Sequence, residues 1–278
     1  MVSVVIPTFN RAWCLAEAVE SVLAQDFPDF ELIVVDDGST DETPEILARY
    51  PTAQVIRQEN RGVSAARNRG AAAARGKWLA FLDSDDLWLP GKLSAQAAFF
   101  QDHPEFLICQ TQEEWIRNGR LLRPLPRHEK PQGMAFARMT ELCLVSPSAV
   151  MLSREMFFAH GGFDETLPAC EDYDLWLRMG RTQPVGLVDR VLVRKRGGHE
   201  DQLSVQPGLD RFRVLSLARI ILSGELAPAD LDAARAALAQ KAAVFAAGCE
   251  KRGRDREARE ILALAARAGA LPSFPLPQ

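Results

Sequence analysis

The first hundred residues alternate short, almost wholly apolar runs with stretches of helical periodicity, and few architectures accept that pattern. Residues 2–6, 31–35, 54–57 and 78–82 are rich in β-branched and large apolar side chains, whereas 12–24, 44–49 and 63–74 carry helical patterns. Strand, helix, strand with short connections requires a parallel sheet with crossover helices. The strands show little polar alternation, as expected when both faces of a sheet are covered. The expected fold is therefore α/β, with a mostly parallel central sheet flanked by helices.

In such sheets ligands bind beyond the carboxyl ends of the strands. The first strand ends in Pro7-Thr8-Phe9-Asn10-Arg11, the second in Asp36-Asp37-Gly38-Ser39 and the fourth in Asp83-Ser84-Asp85-Asp86. Paired carboxylates closing a buried strand suit a hard divalent cation that completes its shell with phosphate oxygens. Read without the rest of the chain, Asp83-Ser84-Asp85 is more readily a solvated turn before Pro90, since Asp is common in turns. Asp36-Asp37 can accept from a nucleobase or ribose, or can simply form a turn at Gly38 in which Ser39 or Thr40 caps the next helix. Glu171-Asp172 opens a helical segment whose Leu175, Trp176 and Met179 share an apolar face. Acids are favoured there by the helix dipole alone, yet a carboxylate is also a normal base for an attacking hydroxyl. His199 follows Gly197-Gly198 and a basic run, which suits either a loop that touches phosphate or metal or an exposed turn. Trp88 and Trp115 are candidates for stacking on sugars among tryptophans otherwise expected in the core.

Taken in order and spacing, these segments resemble family 2 glycosyltransferases of the GT-A fold over about residues 1–205. The carriers are Val4-Val5-Ile6-Pro7-Thr8-Phe9-Asn10-Arg11, Val34-Val35-Asp36-Asp37-Gly38-Ser39, Asn60-Arg61-Gly62 with Arg67-Asn68, Phe81-Leu82-Asp83-Ser84-Asp85-Asp86, Gly161-Gly162-Phe163-Asp164-Glu165 and Glu171-Asp172-Tyr173-Asp174. The resemblance implies an inverting transfer from a nucleoside diphosphate sugar, UDP foremost, to a glycan or lipid-linked acceptor of the cell envelope. It implies that Pro7 and Asp37 line the nucleobase pocket and that Arg67 supports the donor. Asp83 would hold the ribose or metal, and Asp85 would ligate Mn2+ or Mg2+, with His199 a further metal or diphosphate contact. Asp172, with Glu171 beside it, would be the general base. The alternative is a non-catalytic nucleotide-sugar-binding or assembly subunit, against which the intact carboxylate sets argue.

Other classes fit poorly. Pro7-Thr8-Phe9-Asn10 stands where a dinucleotide oxidoreductase or nucleotidyltransferase would carry a glycine-rich loop. A net charge of −4 argues against a nucleic-acid partner. Five scattered cysteines, never in a C-x-x-C pair, read as reduced thiols in the cytoplasm. The opening residues read as a strand and no apolar stretch is long enough to span a bilayer, so any membrane contact is expected to be peripheral, at the inner face.

Beyond residue 105 the pattern loosens, with strands expected at 148–152 and 186–193 and a loop at 117–138 that is rich in Arg and Pro. That loop is expected to attract an anionic partner, a phospholipid surface or a lipid-diphosphate-linked glycan. After Pro207 the chain turns helical, with Leu231, Ala234, Leu238, Ala242, Phe245 and Cys249 on one face. A break at Gly253 leads to a second helix with Ala258, Ile261, Leu262 and Ala265 aligned. The organisation expected is a nucleotide-sugar half (1–105), an acceptor half (106–205) and a helical extension (206–278). The extension serves packing or a partner, including a second copy of the chain.

Overall fold

The computed structural model describes residues 1–199, 202 and 207–272; the boundary expected at 205–206 lies outside the described residues. The chain enters as β1 (Val2–Thr8), crosses through α1 (Leu15–Leu23) to β2 (Phe30–Asp36), and through the short α2 (Thr43–Leu47) to the edge strand β3 (Gln54–Arg57). The next crossover, α3 (Val63–Ala73), returns to the far side of β1, where β4 (Trp78–Phe81) pairs. All three pairings are parallel, with Val5 opposite both Ile33 and Phe81. Val5, Ile33, Val35 and Phe81 face one core cluster, and Val4, Ile6, Leu32 and Val34 face the other. That period-two division explains why the runs read as continuously apolar. On the first face, α3 lies so close that a Cβ at Gly70 would stand 2.3 Å from Val5 Cγ1, so only glycine fits.

The second half extends this sheet with mixed pairing. Its elements are β5 (Leu87–Trp88), α4 (Lys92–Asp102), β6 (Ile108–Arg117), β7 (Arg120–Leu122), α5 (Phe136–Glu141), β8 (Val150–Ser153), α6 (Arg154–Ala159), α7 (Glu171–Gly180) and β9 (Gly186–Gly197). The order is β3-β2-β1-β4-β8-β6-β9-β5, with β7 beside β6. β8 is antiparallel to both β4 and β6, whereas β6 and β9 run parallel.

Three expectations shift here. The strand read at 148–152 begins at Val150, because Pro147–Ala149 form a 3-10 turn first. The strand read at 186–193 continues to Gly197, which draws Lys195 and Arg196 into the sheet. Residues 117–138 are not a loop throughout. Asn118 and Gly119, with φ of 50° and 72°, turn β6 back into β7, as an Asn-Gly pair favours. A 3-10 turn (Pro126–His128) and α5 then follow.

The C-terminal part is three helices: α8 (Leu209–Leu222), α9 (Pro228–Glu250) and α10 (Asp255–Arg267). The aligned Ala234, Leu238, Ala242, Phe245 and Cys249 of α9 are buried within the chain, as are Ala258, Ile261 and Ala265 of α10. One apolar cluster runs from Val5 and Phe81 through Trp176 to Leu217, Leu238 and Ile261. The stripe read as a packing or partner face is thus consumed inside the chain. All five cysteines are free. Among the described residues, no helix is long and apolar enough to cross a membrane.

Candidate active site

The ends of β1 and β2 are laced together. Asn10, held at φ 52°, accepts from the Thr40 amide at 2.8 Å and gives its own amide to Ser39 Oγ at 2.9 Å. The Ala12 amide donates to Asp41 at 3.0 Å. Pro7 is buried beneath this corner. Asp37 fastens the next loop: Oδ1 accepts from Gln58 Nε2 (2.7 Å) and the Arg61 amide (3.0 Å), and Oδ2 from the Gly62 amide (2.8 Å). An ionised carboxylate offers about four acceptor directions, and three are taken here. Gly38 is needed at this turn, where φ is +84° and a Cβ would meet the Asn60 amide at 2.9 Å.

Beyond β4, Asp83 and Asp85 diverge in their partners. Asp83 accepts from Arg67 Nη2 at 2.6 Å, and Glu171 from Arg67 Nη1 at the same distance. The guanidinium lies buried over the Phe163 ring, 5.1 Å from its centroid. Burial pushes the Asp83 carboxyl upward, but Arg67 and then Lys195 hold it below the usual range. Glu171 remains above its usual range, because burial and neighbouring Asp172 outweigh Arg67. Asp85 is also raised, by burial and by Asp83, despite His199, whose Nε2 lies 2.8 Å from Asp85 Oδ2.

Asp172 sits at the first turn of α7, half-buried. Its Oδ1 accepts from the Tyr173 amide at 2.7 Å and its Oδ2 from the Cys143 thiol at 3.2 Å. Burial and then Asp172 push that thiol well above its ordinary range, so it stays a donor. The fold therefore brings together the β4 end, α3 and α7 through Arg67. It makes Glu171 the partner of Arg67 and leaves Asp172 as the helix-end carboxylate with no direct ion pair among the described residues.

Sequence reasoning passed over a polar layer supplied by β6 and β9. Asp86 accepts from Ser148 Oγ at 2.7 Å and from the Arg196 amide at 3.0 Å. Arg196 Nε in turn donates to the Asp85 carbonyl at 2.5 Å. Lys195 Nζ donates to Ser146 Oγ at 3.2 Å; burial opposes its charge, but Glu113, Asp86, Asp83 and Asp172 hold it well above the usual lysine value. Glu113 pairs with buried Lys130 at 2.9 Å. The only signal for these groups was charge inside an apolar strand pattern. The tryptophan candidates change too. Trp88 is buried with Nε1 on the Ser148 carbonyl, and Trp115 gives Nε1 to Glu113. Instead Trp13, 56% exposed, leans on His199 with ring centroids 5.4 Å apart.

A divalent cation fits this donor set with help from its substrate. Among the described residues no group of three His, Cys, Asp or Glu side chains is gathered for a metal. Asp85 and His199 offer one carboxylate and one imidazole side by side, and Asp83 is taken up by Arg67. One or two protein ligands plus phosphate oxygens is how Mg2+ and similar ions are usually held in nucleotide sites.

The chain is also similar in sequence and fold to known proteins. The chain is 32% identical to an uncharacterized glycosyltransferase of Rickettsia felis over 203 residues, 71% of this chain but 33% of that protein. It thus spans about a third of that relative's length. It is 29% identical over 187 residues to WfaP of Escherichia coli, a UDP-Glc:alpha-D-GlcNAc-diphosphoundecaprenol beta-1,3-glucosyltransferase, covering 64% of this chain and 70% of WfaP. Among solved structures, S. aureus TarS 1-349 in complex with UDP-GlcNAc superposes with a TM-score of 0.77 at 23% identity, over 97% of this chain and 83% of that one. The shared architecture is the GT-A fold. The family model for Glycosyl transferase family 2 matches residues 3–159, spanning the β1, β2 and β4 ends, and the chain belongs to that family.

Proposed function

We propose that this chain transfers a sugar from a nucleoside diphosphate, UDP foremost, to a hydroxyl of a lipid-linked glycan, with inversion at the anomeric carbon. The observation that carries the reading is the Arg67 bridge, where one buried guanidinium joins the donor-side Asp83 to Glu171 beside Asp172. The substrates in WfaP's name support UDP and lipid linkage.

In this reading Pro7 and Asp37 line the nucleobase pocket, and the remaining acceptor direction on Asp37 takes a ring N–H. Asp83 holds the ribose, oriented by Arg67. Asp85 and His199 hold Mn2+ or Mg2+, which when bound supplies Lewis-acid stabilisation of the leaving diphosphate. Lys195 stays charged beneath these acids and adds positive potential on the donor side. Asp172 takes the proton of the acceptor hydroxyl as its oxygen bonds to the anomeric carbon. The bond from that carbon to the diphosphate oxygen breaks, and its electron pair leaves with the diphosphate. Cys143 steadies the Asp172 carboxylate, and Glu171 serves as the Arg67 anchor rather than as a second base.

A thermal-shift panel of UDP, GDP, dTDP, CMP and ADP, each with and without Mn2+, tests the donor site. A ligand at about a hundred times its dissociation constant adds about 2.7 kcal/mol, several degrees of midpoint. A metal-dependent shift with UDP, followed by transfer from a UDP-sugar, is expected. No shift with any nucleotide would favour a non-catalytic assembly subunit and sink the reading.

A further inference from the structure

The β6–β7 hairpin and the segment after it form a surface that the transfer chemistry does not use. Every residue from 117 to 127 is exposed, and the stretch holds Arg117, Arg120, Arg123 and Arg127 with no acidic residue. None of these arginines makes an ion pair among the described residues, whereas exposed arginines elsewhere do, as in Arg75–Glu31, Arg61–Glu165 and Arg256–Glu260. Interleaved with them, Leu121, Leu125 and Leu122 are 62%, 52% and 39% exposed. Arginines on a short edge strand are ordinary protection against strand pairing. Exposed leucines beside them work against that protection, and a soluble polyanion would have no use for them. Cationic side chains with apolar ones between them match an anionic bilayer, where charge draws the surface in and leucines enter the headgroup boundary.

The hairpin is rooted in the site. Its turn residue Asn118 donates its amide to the Gly197 carbonyl at 3.3 Å, two residues before His199, and Glu113 at its base faces Lys130 and Lys195. We infer that residues 117–127 dock the chain on anionic phospholipid, so that the mouth of the site opens at the bilayer surface. The inference goes beyond the transferase reading, and vesicle binding without nucleotide tests it separately.

The experiment is co-sedimentation of the full chain with phosphatidylcholine vesicles, with and without phosphatidylglycerol, at low and high salt. The chain is expected to bind only the anionic vesicles, and less at high salt. Arg120→Gln/Arg123→Gln/Arg127→Gln should lose about a hundredfold in affinity, at roughly one charge contact each. Leu121→Ser/Leu125→Ser should lose about tenfold while keeping the salt dependence. The exposed pair Arg252→Gln/Arg259→Gln, in the turn after α9 and on α10, should bind like the parent. All seven substituted positions are exposed, and melting curves check that each of the three variants folds. Three results would overturn the inference: no preference for phosphatidylglycerol, unchanged binding by the triple arginine variant, or binding to soluble dextran sulfate as tight as to vesicles and indifferent to the leucines.

Discussion

Arg67→Met is the sharpest test of the polar centre. The guanidinium is almost fully buried and holds two carboxylates at 2.6 Å, so methionine fills much of the volume but leaves Asp83 and Glu171 unpaired. Breaking a buried pair by removing one partner costs about 3–5 kcal/mol. At about 2–4 °C per kcal/mol for a chain of this size, the midpoint at pH 7 should fall by roughly 10 °C. The deficit should shrink in acid. With Arg67 present, the Asp83 carboxyl is held below its ordinary range, so its stabilisation is present above the unfolded carboxylate value and fades as pH falls through the folded one. The variant keeps only the weaker pull of Lys195 and so has less of that kind to lose. Glu171→Gln in the Arg67→Met background should recover about 1–2 kcal/mol, because one stranded charge disappears. Differential scanning calorimetry of the parent, both single variants and the double variant, without nucleotide, reads all of this. A single variant melting within about 2 °C of the parent, or a double variant no better than Arg67→Met, would refute the idea that this guanidinium neutralises both acids.

Asp85→Ala and Asp172→Asn should both abolish transfer, but only Asp85→Ala should weaken metal-dependent nucleotide binding by titration calorimetry; near-normal transfer by Asp172→Asn would remove it as base. Cys143→Val should lower kcat about fivefold, the worth of about one hydrogen bond, leaving nucleotide affinity unchanged, and Cys143→Ser should restore the rate. Burial raises Glu113, but Lys130 and Lys195 bring it down to about 2, so its pair is worth about 3 kcal/mol at neutral pH. That stability should be lost between about pH 4.5 and 2, and Glu113→Gln should flatten this limb of the acid-unfolding curve. Lys92 is fully buried against Trp88 with, among the described residues, only Gln96 hydrogen-bonded to its ammonium, and burial lowers it to about 7. The unfolded chain binds more protons there above pH 7, so parent stability should rise from pH 7 toward 10, and Lys92→Met should lack that rise.

The parallel half of the fold was legible because its signal is local. Val4, Ile6, Leu32 and Val34 on one face and Val5, Ile33 and Val35 on the other leave no polar alternation to mislead, and Gly38 and Gly70 sit where backbone demands them. The carboxylates at the strand ends were legible for the same reason. What the sequence hid is pairing across distance. Nothing near Arg67 announces that it spans Asp83 and Glu171, 104 residues from the latter. Arg194, Lys195 and Arg196 looked like loop residues because a strand rarely carries such charge; β6 beside them supplies Glu114 to Arg194 and Glu113 to Lys195, and α1 supplies Glu17 to Arg196. The hairpin at Asn118-Gly119 was masked by the prolines that follow it.

The strand order also governs how the chain is made. β3, β2, β1 and β4 can pair as soon as the first eighty or so residues have emerged, since each joins a strand already present. The far edge of β4 must then wait for β8, which arrives after β6 has been synthesised and inserts antiparallel between them. During that interval Trp78, Leu79 and Ala80 present an open, apolar edge, the kind of template on which chains pair with one another. The centre of the finished sheet is therefore the seam where a nascent chain is most exposed to aggregation, and slower elongation between residues 82 and 153 would lengthen that exposure.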